Sequence, residues 1–534
     1  TWICCNKKAP PSEVKAFLKR FLFILLGWLT AGAAQPKSLR YIENKVRIYI
    51  EESVDVDQTS LVNGKTGIKT IDDLLSRKGK VKISHWLPEA TEKDRDGDIF
   101  LSRYYDIIFD DENVDMAAVR DELSNQAAIK FAEYVPDYRF HYTPNDPRYS
   151  SQWYLRTIQA PEAWDLWNIE GGNFPGDSTI VVGVVDSGCD WDHRDLVYSL
   201  WNNFGEDVDG DGKTIELVNG QWQLDSGDLN SVDDDGNGYV DDLIGWDVSG
   251  TTAGNDPDNN PMAPPDPGPT NGNPHGTHVA GIVAATTDNS LGMASVGFNI
   301  KHMPVKIQYD ENPSDTTFDS GGSSGVLYAA KAGAHIINLS WGGGGSSNSE
   351  RALYNNIRDN YGAIVVAAAG NEESEEESYP AAYSSVLSVA SSNSSDTKSS
   401  FSNYGTWVDI IAPGSSILSA VYDDNYSSWS GTSMATPLVA GALGLVWSYY
   451  PDESAEKIKQ MLLRGTDNID DNNSSYVGKI GSGRLNVFRA IASGSLPQLK
   501  VSSYSTLPVN DDDGVLNPGE IALMRVVLVN EEGW

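Results

Sequence analysis

Continuous runs of apolar, β-branched residues are the feature that most restricts how this chain can fold. Residues 180–185 and 363–369 contain no polar side chain and are too short to be typical buried helices. A strand of this kind is buried on both faces, as the inner strands of a parallel sheet are. Helix-like patterns at 325–333 and 438–447 alternate with such strands. We therefore predict a doubly wound α/β domain with a mainly parallel sheet.

The charge and the length of the chain exclude several classes of protein. Its 75 acidic and 39 basic residues give a formal net charge of −36. Such a surface disfavours nucleic acid and anionic membranes as partners and attracts cations. At 534 residues the chain is too long for one core, and we expect about two to four domains. Cys189 is the one cysteine beyond the first five residues, so no disulfide is expected in the body of the chain.

The first segment, residues 1–34, has the pattern of a signal peptide and predicts secretion. Basic residues precede the apolar run 21–29, and small residues follow it. The run is shorter than the ~20 residues of a membrane span, so no stable span is expected, and a retained anchor is the alternative. Because the chain begins at Thr1 and stops inside a strand-like pattern, we expect a longer reading frame. A further C-terminal region could then attach the protein to a cell surface.

Three further segments follow from the strand and helix patterns. Residues 35–145 predict a small α+β domain, in which 99–110 is one of the expected strands. Residues 146–495 contain the main α/β domain. Residues 496–534 change to alternating apolar and polar positions, which predicts the start of a β-sandwich.

Three side chains suited to nucleophilic catalysis occur where predicted strands end or helices begin. Asp186 follows the first apolar strand, and α/β sheets place their sites at the carboxyl ends of strands. His275 opens a helical run rich in Gly and Ala. Ser433 begins an apolar helix, where free N–H groups and the positive end of the helix dipole favour an oxyanion. A helix-capping role for Ser433 and a turn-forming role for Asp186 are the structural alternatives.

The segments around these residues resemble the subtilisin-like serine peptidases. The resemblance rests on residues 185–188, 275–281 and 431–437, which supply Asp, His and Ser in that family's order. It extends over residues 153–492. It implies a subtilisin-like fold and a secreted serine endopeptidase of broad specificity.

The resemblance also implies a role for each residue of the site. Ser433 would attack the scissile carbonyl, His275 would transfer the proton, and Asp186 would orient the imidazole. Asn371 would hold the oxyanion together with the backbone N–H of Ser433. Protein or peptide substrates would bind along two short segments that comprise Ser340, Trp341, Gly342, Gly343, Ala369 and Gly370.

Residues 35–145 are implied to be the family's propeptide. Such a segment assists folding, inhibits the enzyme as part of the same chain, and is removed by self-cleavage. The cut is expected between Tyr138 and Ser150, in a stretch rich in proline and turn-forming residues.

Two acidic loops in the insertion between Asp186 and His275 predict structural calcium sites. Both place oxygen-bearing side chains at alternate positions with Gly at the sixth, as calcium loops of the EF-hand type do, but neither has Glu at the twelfth. A solvated acidic loop is the alternative, and the chemistry itself needs no cofactor. The candidate ligands are Asp207, Asp209, Asp211, Asp233, Asp235, Asn237, Tyr239, Asp241 and Asp242.

Several residues leave alternatives open. His278 is either a metal ligand or a packed helix residue, and His193 is expected to be structural. Cys189 either borders the catalytic residues as a reactive thiol or fills a buried apolar space. The run of glutamates that follows Asn371 either biases the specificity pocket toward basic or polar side chains or forms a solvated loop; it comprises Glu372, Glu373, Glu375, Glu376 and Glu377.

The same residues support three rival functions less well. An inactive relative kept as a binding module is the main alternative, although all four active-site residue types are present. A lipase-like hydrolase would carry Gly-x-Ser-x-Gly around its nucleophile, which Ser433 lacks. A zinc peptidase would carry His-Glu-x-x-His, which the chain lacks.

Overall fold

The computed structural model describes residues 41–111, 113–136, 142–250, 257–263, 274–309, 321–494, 499–508 and 522–530. The predicted signal peptide lies outside the described residues, as does part of the stretch expected to be cleaved. The chain divides into two compact units, one formed mainly by residues 1–140 and the other mainly by 141–505. In the described part of the chain, no helix has the length and the apolar character needed to cross a membrane.

The N-terminal unit is a small α+β fold. Its sheet is antiparallel in the order β2-β5-β1-β6. One face is buried under two helices, and its core includes Ile48, Leu74, Ile107 and Val119. The elements are β1 (Tyr41–Ile50), α1 (Gln58–Leu61), α2 (Lys69–Lys78), β2 (Val81–His85), β3 (Arg95–Asp96), β4 (Ile99–Phe100), β5 (Tyr104–Phe109), α3 (Met116–Ser124) and β6 (Ile129–Pro136).

A seven-stranded sheet forms the centre of the large unit. Its order is β10-β11-β7-β12-β13-β14-β15, and every neighbouring pair is parallel. β7 is the first strand of this sheet along the chain, and later strands lie on both sides of it, so the doubly wound parallel architecture is confirmed. The strands are β7 (Val181–Asp186), β10 (Trp246–Asp247), β11 (Lys301–Lys306), β12 (Ile336–Leu339), β13 (Ile364–Ala368), β14 (Val386–Ser392) and β15 (Ile410–Pro413).

Helices cover both faces of this sheet, which explains the continuous apolar strands. Val182 and Val184 of β7 face one apolar cluster, whereas Val181 and Val185 face the other. The first cluster includes the helices His275–Ala284 and Thr432–Tyr449, and the second includes the helix Gly321–Lys331. The helices are α4 (Trp153–Thr157), α5 (Ala160–Trp164), α6 (His275–Ala284), α7 (Gly321–Lys331), α8 (Asn348–Asn356), α9 (Thr432–Tyr449), α10 (Ala455–Arg464) and α11 (Val487–Ser493).

Besides the β3-β4 pair of the N-terminal unit, the described residues form three more two-stranded sheets. The hairpin of β8 (Ile215–Val218) and β9 (Gln221–Leu224) belongs to the acidic insertion. A second hairpin, β16 (Ile417–Val421) and β17 (Asn425–Trp429), leads directly into α9. The strands β18 (Leu499–Pro508) and β19 (Ala522–Asn530) pair in the segment where a β-sandwich was expected to start.

Close packing of α9 depends on small residues. A Cβ at Gly441 would lie 2.3 Å from Val296 Cγ1 and 3.0 Å from the backbone oxygen of Val283. Val283 belongs to α6, and both helices are almost entirely buried. The missing side chain at Gly441 therefore lets α9 approach α6 on the same face of the sheet.

Replacing Gly441 with Ala is expected to destabilise the large unit. The methyl group would overpack the contact with Val296 and Val283, an effect of about 1–3 kcal/mol, which exceeds the ~1 kcal/mol that Ala gains over Gly in a helix. The midpoint of urea unfolding should fall. Gly344→Ala is the control, because no atom lies within 4 Å of a Cβ there; equal midpoints for both variants would contradict the packing argument.

Candidate active site

The carboxylate of Asp186 lies at the carboxyl end of β7, where the strand order of the sheet diverges to both sides. Asp186 is 2% exposed. Its Oδ1 accepts a hydrogen bond from the backbone N of Ser187 at 2.8 Å and lies 2.7 Å from His275 Nδ1. A carboxylate can only accept, so Nδ1 carries the hydrogen and Nε2 of the imidazole is left as an acceptor.

His275 is the first residue of α6, and the residue after it allows the helix to approach β7. A Cβ at Gly276 would lie 2.1 Å from the backbone oxygen of Gly188 and 3.2 Å from Asp186 Cβ. The backbone N of Gly276 donates to Ser187 Oγ at 3.0 Å. The glycine is therefore required for the contact between the imidazole and the carboxylate.

The pKa of His275 lies above the ordinary histidine value of 6.5. Burial lowers the pKa, but the charge of Asp186 and its hydrogen bond raise it by more. The imidazole side chain is still 27% exposed. It is therefore a base of increased strength that remains open to a molecule in the cleft.

Ser433 lies in the first turn of α9 and is linked to the end of β12 by two hydrogen bonds. Its Oγ donates to the backbone oxygen of Ser340 at 2.9 Å, and Ser340 Oγ donates to the backbone oxygen of Ser433 at 2.9 Å. Asn338 Nδ2 in turn donates to Ser340 Oγ at 2.9 Å. His275, Asn371 and Ser433 line one cleft together with Trp429.

Two N–H donors flank a small space beside Ser433. Asn371 Oδ1 accepts hydrogen bonds from Thr432 N at 2.8 Å and Thr432 Oγ1 at 3.1 Å, which leaves the Nδ2 group of the amide as the donor. A Cβ at Gly431 would lie 3.8 Å from Asn371 Nδ2 and 3.6 Å from Ser433 N. The backbone of Gly431 is extended, with φ of 168°, so any residue could adopt it. The glycine keeps the space between the donors open.

Asn403 is a buried residue that holds the loop of Asn371, and the sequence analysis missed it. Its Oδ1 accepts from Glu372 N at 3.0 Å and Ser374 N at 2.9 Å, and its Nδ2 donates to the backbone oxygen of Ala369 at 3.0 Å. Its contact with the loop depends on the fold, and no local pattern around Asn403 could have identified it.

The residues predicted to bind substrate lie at the carboxyl edge of the sheet. The Trp341 indole donates to the backbone oxygen of Val185 at 2.8 Å. Gly343 pairs with Tyr379 through two backbone hydrogen bonds of 2.7 Å. The segment 369–370 follows β13 and is anchored by Asn403, as described above.

Four of the predicted metal ligands fall into two groups, and each group contains one further carboxylate. In each group, one carboxylate oxygen of every member lies within 4.8 Å of those of the other two; the groups are Glu206, Asp233 and Asp235, and Asp207, Asp209 and Asp228. Each group could hold a metal ion. Glu206 and Asp228 were not among the predicted ligands, because they lie outside the two loop patterns.

The remaining candidate ligands have other contacts. The Asp211 carboxylate pairs with Lys213. Asp241 accepts hydrogen bonds from the backbone N of Asn230 and Ser231. Asp242 accepts from the Tyr328 hydroxyl at 2.8 Å and from Asn237 Nδ2. The Tyr239 ring packs against the rings of Trp246 and Tyr328.

Two further histidines of the sequence analysis, His278 and His193, have hydrogen-bonded positions in the fold. His278 is fully buried, stacks parallel to Trp429 at 4.5 Å between ring centroids, and donates from Nε2 to the backbone oxygen of Ser427 at 3.1 Å. Burial lowers the pKa of His278 to about 3, so it is neutral. His193 Nδ1 accepts from Asp195 N at 3.1 Å, which fixes its ring.

Cys189 is a buried residue, whereas the glutamates of the run are exposed, as in a solvated loop. Cys189 is 1% exposed, and burial raises the pKa of its thiol well above the ordinary value, which favours the buried filler over the reactive thiol. In the glutamate run, Glu372 accepts from Asn403 at 2.8 Å and Glu375 pairs with Lys479 at 2.8 Å.

Comparison with known proteins places this chain in a family. Residues 177–483 match the sequence model of the Subtilase family, the peptidases S8. The chain is 36% identical over 352 residues to thermitase of Thermoactinomyces vulgaris, covering 66% of this chain and 99% of thermitase. It is 34% identical over 340 residues to the halolysin-like extracellular serine protease Nep of Natrialba magadii, covering 62% of this chain and 51% of that protein.

The solved structures agree with the assignment of the fold. A protease from Pseudoalteromonas arctica PAMC 21717 aligns with a TM-score of 0.50 and 26% identity, covering 66% of this chain and all of that chain. The parallel sheet, the cleft at its carboxyl edge and these relatives lead to one assignment: the chain belongs to the subtilase family and is a subtilisin-like serine endopeptidase.

Proposed function

We propose that the chain hydrolyses peptide bonds through Asp186, His275 and Ser433 and forms an acyl-enzyme on Ser433. The observation that carries this proposal is the 2.7 Å hydrogen bond between Asp186 and His275, made at the edge of the cleft that His275 and Ser433 both line. It leaves a strengthened base, His275 Nε2, open to the same cleft as a serine hydroxyl.

The reaction then follows from the positions of these groups. Ser433 Oγ attacks the scissile carbonyl carbon, and its proton passes to His275 Nε2. His275 next protonates the amine as the C–N bond breaks, which leaves an ester on Ser433. A water molecule, deprotonated by His275, attacks this ester and releases the acid. Asp186 stays ionised throughout and stabilises the imidazolium.

The oxyanion of each tetrahedral intermediate would lie between Asn371 Nδ2 and Ser433 N. Both donors are held in place before substrate binds, one by Thr432 and the other by the first turn of α9. Fixed donors of this kind stabilise the charge as it develops and need no reorganisation. The positive end of the α9 dipole acts in the same direction.

Peptide substrates would lie along the edge formed by residues 340–343 and 369–370. The end of β12 is close to the nucleophile because Ser340 and Ser433 exchange two hydrogen bonds. A peptide that pairs with this edge in an extended conformation would present its carbonyl to Ser433.

The enzyme is proposed to be made as a secreted precursor with a propeptide at residues 35–145. The described residues 41–111 and 113–136 support this division, because they form a fold with its own apolar core. Secretion is supported by relatives that are named extracellular proteases. Self-cleavage would remove the propeptide, and calcium bound in the acidic insertion would stabilise the mature enzyme.

Ser433→Ala is expected to abolish hydrolysis of casein and to leave the precursor at full length, because the cut requires the nucleophile. Denaturing gels and sequencing of the new N-terminus would measure this. Ser428→Ala is the matched control: the residue is an exposed serine of β17, and its variant should process normally. A processed Ser433→Ala chain, expressed in a host without other proteases, would contradict self-cleavage.

The pH profile of kcat/KM is expected to report the pKa of His275. The base must be neutral, so activity should be lost as the pH falls through a midpoint above 6.5. Asp186→Asn removes the charge that raises this pKa. The midpoint should move to lower pH and kcat should fall by about 10⁴. An unchanged midpoint in this variant would show that another group controls the profile.

Asn371→Ala and Gly431→Ala are expected to lower kcat with little change in KM. Loss of one such donor in a subtilisin costs about 10²–10³ in kcat, and that magnitude is taken over from that enzyme. The methyl group in Gly431→Ala would occupy the space between the donors, whereas the extended backbone tolerates it. A normal kcat in Gly431→Ala, with unfolding unchanged, would contradict the proposed position of the oxyanion.

A further inference from the structure

Two loops of the acidic insertion have the same hydrogen-bonding pattern. We call residues 207–212 loop A and residues 233–238 loop B; both have the form Asp-x-Asp-Gly-x-Gly. In each, the first Asp accepts from both glycine N–H groups and the second Asp accepts from the N–H two residues later. The bonds are Gly210 N and Gly212 N to Asp207, Asp211 N to Asp209, Gly236 N and Gly238 N to Asp233, and Asn237 N to Asp235.

Each loop also receives a carboxylate from a short turn elsewhere in the insertion. Turn A (residues 203–206) ends in Glu206, whose Oε1 accepts from the backbone N of Asp234 and Asp235 in loop B at 3.0 and 3.1 Å. Turn B (residues 225–228) ends in Asp228, whose Oδ1 accepts from the N–H groups of loop A at 2.9 and 3.4 Å. The turns are thus exchanged between the loops: turn A directly precedes loop A but binds loop B, and turn B precedes loop B but binds loop A.

The turns themselves are equivalent in detail. In turn A the N–H of Gly205 donates to Asn203 Oδ1 at 3.1 Å, and in turn B the N–H of Gly227 donates to Asp225 Oδ1 at 2.8 Å. A Cβ at Gly205 would lie 2.6 Å from Asp235 Cβ, and one at Gly227 would lie 2.2 Å from Asp209 Oδ2. In both cases a glycine lets the turn contact the second Asp of the partner loop.

The remaining oxygen of each exchanged carboxylate is buried and lacks a partner. Glu206 and Asp228 are both 0% exposed, and neither Glu206 Oε2 nor Asp228 Oδ2 has a hydrogen bond to any residue that the structure describes. Each of these carboxylates lies beside two aspartates of its loop. Burying one unpartnered carboxylate is costly, and three carboxylates in contact repel one another.

A hard divalent cation removes both costs at once. Calcium accepts six to eight oxygen ligands in flexible geometry, from carboxylates, backbone carbonyls and water, whereas magnesium prefers to keep several waters. Three carboxylates on a glycine-rich loop fit calcium better than magnesium. The buried third carboxylate takes the place of the Glu that a complete EF-hand loop supplies at its twelfth position.

We propose that residues 203–238 form two equivalent calcium sites that exchange their turns. One site consists of Glu206, Asp233 and Asp235, and the other of Asp207, Asp209 and Asp228. This inference rests on the calcium binding proposed above and assigns it to residues outside the two sequence patterns. Because Glu206 and Asp207 are adjacent but belong to different sites, the two ions together close the insertion into one unit.

Calcium binding by full-length precursors in the Ser433→Ala background, which prevents self-digestion, tests this inference. Equilibrium dialysis with atomic absorption gives the number of ions per chain. Glu206→Gln and Asp228→Asn should each bind one ion fewer than the parent, and the double variant two fewer. Asp211→Asn is the matched control, since it removes one charge from loop A at a residue that pairs with Lys213, and it should bind as the parent does.

Thermal unfolding distinguishes calcium binding by Glu206 and Asp228 from a purely structural role of these residues. In excess EDTA, Glu206→Gln and Asp228→Asn should melt no lower than the parent, because they relieve charge repulsion; in calcium they should melt lower. Parent-like calcium binding in both variants would overturn the exchanged sites although calcium binds elsewhere. If the parent binds no calcium, both the exchanged sites and the proposed calcium stabilisation are overturned. If Glu206→Gln and Asp228→Asn melt lower than the parent in EDTA as well, the two carboxylates have a structural role only and the exchanged sites are overturned.

Discussion

The active site depends on one contact, the hydrogen bond between the Asp186 carboxylate and the His275 imidazole. It forms because α6 begins directly against the end of β7, with the backbone of Gly188 in the space that a side chain at Gly276 would fill. The contact buries the carboxylate, selects the tautomer of the imidazole and raises its pKa. In the proposed mechanism, each of these effects prepares Nε2 to accept a proton, so the packing of one helix on one strand would determine the chemistry.

Ser433, the proposed nucleophile, reaches the same cleft through the second helix on that face of the sheet. The small residues of α9 allow it to pack closely against α6, and its first turn presents Ser433. Ser340 and Asn371 come from the ends of β12 and β13, and both are hydrogen-bonded to this turn. The residues proposed as base, nucleophile and oxyanion donors are thus carried by rigid elements or by loops tied to them, which is the arrangement that preorganised catalysis requires.

Local patterns in the sequence were sufficient for the architecture, and the family resemblance added three of the residues that line the cleft, His275, Asn371 and Ser433. Apolar runs identify β7 and β13 because both faces of each strand are buried. Contacts between distant segments leave no such pattern, so Asn403, Glu206 and Asp228 were missed. The single strand predicted at 99–110 is wrong for a related reason. A helical turn at Leu101–Arg103 separates β4 from β5, and the backbone N of Leu101 bonds to Asp94 outside the run.

The most direct test of the account is covalent labelling of the processed protein with a fluorophosphonate, followed by mass spectrometry of the labelled peptide. A serine beside a strengthened base and two oxyanion donors reacts with such a reagent, whereas an ordinary serine does not. The account predicts one adduct per chain, on Ser433, that is lost when the protein is unfolded before labelling. An adduct on another serine, or a folded, processed chain that takes up no label, would contradict it.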